Sequence, residues 1–174
     1  MVLVVGIGHP LMGDDAVGLL VVEELEARPW PGGVEFVRAT TCTPDVLPCV
    51  FAGSPAEVPG GPGGAVDLVI VDALEAGDPP GTVSIVSADE IRIGAGCDGG
   101  CPDTPVSMHT FSAEHLLASL RLAGVKTRSL TIVGIEPAYT GPVEGLSPQL
   151  KMAWSRAIDV CARVVMNYLN SDTA

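Results

Sequence analysis

Cationic side chains are scarce in this chain. Nine Lys and Arg stand against 21 Asp and Glu, a formal net charge of -12. Such a surface repels nucleic acid and anionic membranes, and it favours a basic polypeptide as partner. No apolar run reaches transmembrane length. No basic stretch precedes the first apolar run, so a signal peptide is not expected either. The five cysteines are odd in number, and their spacing gives no disulfide framework. A reducing cytoplasm is therefore the expected compartment. There is no G-x-S-x-G elbow and no H-E-x-x-H helix. Cys42 has Asp45 nearby but no partner histidine by sequence. A standard serine, cysteine or zinc peptidase is thus not supported. Nor is there an internal repeat, and residues 53–64 (GSPAEVPGGPGG) are the one low-complexity tract, read as a surface loop.

What is present is a globular chain: 47% of its 174 residues are hydrophobic, enough for one domain over residues 1–174 with a real core. Residues 1–18 organise it. Val2 to Val5 form a β-branched run that reads as a buried strand. Gly6-Ile7-Gly8 follows, where glycine permits a sharp turn and close backbone approach. Asp14 and Asp15 then stand just before an apolar-periodic helix expected over residues 14–27. Asp14 suits the helix N-cap, and both carboxylates complement the helix dipole. A dinucleotide fold is rejected. The third glycine falls at Gly13, too late for the fingerprint, and two carboxylates occupy the end where a pyrophosphate would sit. This end suits a cation or a polar substrate better.

Strands are further expected at 34–37, at 67–72 (DLVIVD), at 82–86 as an antiparallel edge, and at 130–135. Helices are expected at 44–51, at 112–124 and from Ser147 onward, with Pro148 in the first turn. The last carries a stripe from Leu150 to Leu169 that makes Cys161 a core residue. Alternating strands and helices give an α/β fold: a mainly parallel twisted sheet of about five strands with helices on both faces.

Ligand sites of such sheets lie outside the carboxyl ends of the strands. Asp72 ends a strand there, although an Asp at that point also caps loops. Asp15 opens the first helix. His109 precedes a later helix, whose dipole disfavours imidazolium and leaves a neutral ring. Topology brings these three to one edge. Two carboxylates and an imidazole are reasonable ligands for a borderline divalent cation, with positions left open. The Cys97/Cys101 pair, alone in a glycine-rich loop, is a weak metal signal, and a thiol-rich loop without catalytic importance fits it better.

The stretch GIGHPLMGDDAVG resembles the opening signature G-x-G-N-x-L-x-x-D-[DE]-x-x-G of the hydrogenase maturation endopeptidases. The resemblance continues through VDLVIVDALEAGDPPGTVSIV, SMHTFSAEHLLASLRLAG and LTIVGIEP. It implies an endopeptidase, of aspartyl type, that removes a C-terminal extension from the large-subunit precursor of a [NiFe]-hydrogenase after nickel insertion. It also implies that Asp15, Asp72 and His109 are the metal-binding residues. The nickel would come with the substrate. The two acids are also candidates for the base that activates water, so the same three residues are the catalytic expectation. The competing reading is a metal-sensing chaperone of the immature subunit that does not cut. Two departures stand out. His9 replaces the usual Asn, and Arg38-Ala39-Thr40-Thr41 replaces an Asp followed by Gly-Gly-Thr.

Overall fold

The computed structural model describes residues 1–40, 65–87 and 126–171. Five strands form one sheet: β1 (Val2–Ile7), β2 (Val34–Ala39), β3 (Ala65–Ala73), β4 (Val83–Ser87) and β5 (Lys126–Ile135). Their order is β2-β1-β3-β5-β4. All neighbours are parallel except β4, which runs antiparallel to β5 at one edge. Two helices are described, α1 (Val17–Glu26) and α2 (Pro148–Ser171). None of the described helices is long and apolar enough to cross a membrane.

The central strands are apolar on both faces because both faces are buried. On one side Val2, Val4, Val69 and Val133 meet Val21 and Leu25 of α1 and Ile158 and Val165 of α2. On the other, Leu3, Val5, Leu68, Ile70 and Leu130 form a second core. Both described helices pack on the first face. The helices expected at 44–51 and 112–124, and the loop with Cys97 and Cys101, lie outside the described residues.

Several boundaries moved, each for a physical reason. The first helix begins at Val17, and Gly13–Ala16 form a 3-10 turn before it. That turn is closed by the Asp15 N–H donating to Met12 O, while the Asp14 N–H donates to the distant Tyr139 O. Strand β5 begins at Lys126, four residues before its apolar run. Its polar opening is used at the amino edge of the sheet. Arg128 and Ser129 both donate to Asp67, a carboxylate only 2% exposed. Ser147 caps α2 as expected, accepting from the Leu150 N–H at 3.3 Å. Cys161 is buried, and burial pushes its thiol up to about 12, so it is inert core.

The start of α1 lies very close to the sheet. A Cβ on Gly18 would stand 2.2 Å from Ile7 O and 2.3 Å from Val71 O. Only glycine fits, and the contact seats the preceding acidic turn against the ends of β1 and β3. Those two strands flank the point where the chain reverses its direction of travel across the sheet. In open α/β sheets, that crevice is where ligands sit.

Candidate functional site

Asp15 and Asp72 meet at this crevice. The pairing of β1 with β3 ends at Gly6 and Val71, so Asp72 follows directly beyond the ladder. Asp15 reaches the same place from the 3-10 turn. Its Oδ2 accepts the backbone N–H of His9 at 2.8 Å, which fixes the carboxylate against the first loop.

Asp72 is only 5% exposed. Its Oδ1 is buried and has no hydrogen-bond partner, alone in this among the described side chains. Burial, and then the negative charge of Asp15, push its carboxyl from 3.8 up to about 8. A hydrogen bond from the Ala73 N–H opposes them and does not prevail. Unsatisfied buried polar atoms are uncommon and costly, and perturbed carboxyls collect at functional sites. At neutral pH most of the Asp72 carboxyl is protonated unless a cation takes the proton's place. The pair therefore suits either proton transfer or the holding of a cation between two oxygens.

His109, the third residue of the expected set, lies outside the described residues. Among the described residues no three His, Cys, Asp or Glu side chains form a group able to hold a metal. Two of the three expected residues, both oxygen donors, stand together, and the orphaned Asp72 Oδ1 fits a metal contact.

His9 contributes through its main chain. Its ring Nδ1 accepts the Leu11 N–H at 3.2 Å, so the ring serves its own loop. Arg38 turns back to α1, 3.6 Å from Glu23 and 3.5 Å from Glu26. These pairs are half exposed and hold little energy.

Two acids were missed or misread from the sequence. Asp14 is not a helix cap. It is fully buried, and its carboxylate accepts three backbone N–H groups: Ala138 at 2.8 Å, Tyr139 at 3.1 Å and Ser147 at 2.7 Å. It ties the loop of Asp15 to the loop before α2. Glu136 does similar work after β3, accepting the N–H groups of Ala76 and Gly77 at 2.8 and 3.1 Å. The sign in the sequence was an acid directly after the buried run LTIVGI, where an exposed strand end would not need one.

Solved structures of other proteins share this parallel-rich sheet. The hydrogenase maturating endopeptidase HybD from E. coli superposes with a TM-score of 0.65 over 96% of this chain and 93% of its own, at 24% identity. An endopeptidase from Escherichia coli solved in solution gives 0.63 over 92% and 90%, at 26% identity. Among curated proteins, the hydrogenase 2 maturation protease of Escherichia coli K12 is 28% identical over 160 residues, which is 91% of this chain and 86% of that protein.

The model of the hydrogenase maturation protease family matches residues 19–164. The chain belongs to that family of endopeptidases. The matched span includes Asp72 and His109 and begins just after Asp15.

Proposed function

We propose that this endopeptidase removes the C-terminal extension of a [NiFe]-hydrogenase large-subunit precursor after nickel insertion. Asp15 and Asp72, joined by His109, meet the nickel held by that precursor. The observation that carries the reading is Asp72 Oδ1, a buried oxygen without a partner beside a second carboxylate. Burying such an atom costs free energy, and a substrate-borne cation would offset that cost. The family supplies the reaction, and the acid pair supplies the means of telling a loaded precursor from an empty one.

The residues divide the work. The His9 N–H orients Asp15. Asp72 gives up its proton when a cation arrives, so docking is coupled to proton release. Nickel keeps its ligands in the precursor and takes hard oxygens at its open positions, which anchors the scissile bond beside the pair. Holding the reactants in place supplies much of the rate. Water adds to the scissile carbonyl, the C–N bond breaks, and the departing amine takes up a proton. Asp15 and Asp72 are the candidates for the base. We place the reaction in the cytoplasm, the compartment that the odd number and the spacing of the five cysteines favour.

The test is the mass of the precursor after incubation with the pure protein. Nickel-loaded precursor should lose a C-terminal peptide, and nickel-free precursor should not. Equal cutting of both would remove nickel recognition. A stable complex of unchanged mass would favour the chaperone instead.

A further inference from the structure

Five large apolar side chains are exposed among the described residues, and three of them share one place. Leu11 is 58% exposed, Tyr139 54% and Val143 48%. Ile85 and Met152 lie apart on β4 and α2, and scattered single residues need no explanation. The three belong to the loops that follow β1 and β5, at the same edge as Asp15 and Asp72.

These loops are bound into one body. Met12 forms a parallel bridge with Val143, and the Gly13 N–H donates to Val143 O at 2.7 Å. The three bonds to the Asp14 carboxylate complete the clamp. Tyr139 is itself held. Its ring lies so close over Gly141 that a Cβ there would fall 2.0 Å from the phenol oxygen. An exposed aromatic ring fixed in advance loses little entropy when something covers it.

Charge surrounds this platform. Residues 1–16, 72–82 and 136–147 contain no Lys or Arg, yet they carry Glu75, Asp78 and Glu144 beside the buried acids. Beside Tyr139 is a cleft of about 440 Å³, with Glu75, Pro137 and Thr140 in its wall. The Thr140 hydroxyl donates to Glu75 Oε1 at 3.3 Å.

We infer that Leu11, Tyr139 and Val143 form the docking surface for the precursor segment next to the scissile bond, and that this segment presents apolar side chains flanked by Lys or Arg. The inference rests on the function proposed above and names where that substrate lies. The apolar side chains give contact area. The acidic cleft selects a basic flank and disfavours acidic chains. Nickel recognition and chain recognition are then separate, one at Asp15 and Asp72 and the other on the platform beside them.

Steady-state cleavage of nickel-loaded large-subunit precursor tests this with Leu11→Ser, Tyr139→Ser, Val143→Ser and the triple variant. The three side chains are each about half exposed, and the thermal midpoint of every variant is compared with the wild type so that only folded protein is assayed. Tyr139→Ser should raise KM about 10-fold and the triple variant further, with kcat unchanged. Added salt should raise the wild-type KM, and Glu75→Gln should weaken that dependence. An unchanged KM in the triple variant would overturn the docking surface while wild-type cutting keeps the proposed function standing. A fall in kcat at constant KM would also overturn it, since docking would then not be what the three residues do. A wild-type protein that leaves loaded precursor intact would overturn the function and the surface together.

Discussion

At the scale of single residues, Asp72 is the carboxyl most displaced from its ordinary ionisation among the described residues. In the unfolded chain its carboxyl ionises near 3.8, and in the folded protein near 8. Between those values the folded state holds a proton that the unfolded state has lost. The stability this residue contributes is therefore full at acid pH and is lost as pH rises toward 8. Asp72→Asn has no such dependence. Urea denaturation of metal-free protein should show the variant gaining on the wild type by a few kcal/mol between about pH 5 and about pH 8. A constant difference over that range would contradict the raised value. The sequence placed Asp15 and Asp72 correctly at one edge, because strand ends and helix starts are visible in apolar patterning. Asp14 was misread for an equally physical reason. A carboxylate before a helix looks the same whether it caps that helix or accepts hydrogen bonds from N–H groups 124 to 133 residues away.

At the scale of elements, the apolar runs were legible and the polar ends of the strands were not. The buried run of β3 and the edge position of β4 match their patterns. The first residues of β5 and the last of β2 carry Arg128, Ser129 and Arg38, whose polarity hid strand backbone. The joining of loops was invisible altogether. Asp14 links the turn before α1 to the segment before α2, and nothing local records such a link. Asp14→Ala should leave three N–H groups without an acceptor and cost roughly 3 kcal/mol or more. The urea midpoint reads this loss directly. A change under about 0.5 kcal/mol, as at an ordinary surface site, would mean that the loops hold together without the clamp.

At the scale of the whole molecule, a strongly acidic protein carries Asp15, Asp72 and three of the five exposed large apolar side chains among the described residues at one edge of the sheet. The opposite edge is closed by Arg128 and Ser129 on Asp67. This polarity suits a protein that presents one end to a large, partly basic substrate. The fold class was readable from alternation of strands and helices, and the family from the opening motif and those that follow. The meeting of His109 with the two acids was an argument from topology, and His109 lies outside the described residues. The central claim is that the Asp15–Asp72 pair recognises the loaded precursor. The most direct measurement is the mass of nickel-loaded precursor after incubation with Asp72→Asn protein whose folding matches the wild type. The account predicts a precursor of unchanged mass where the wild type removes the C-terminal peptide. Processing at the wild-type rate by that variant would contradict it.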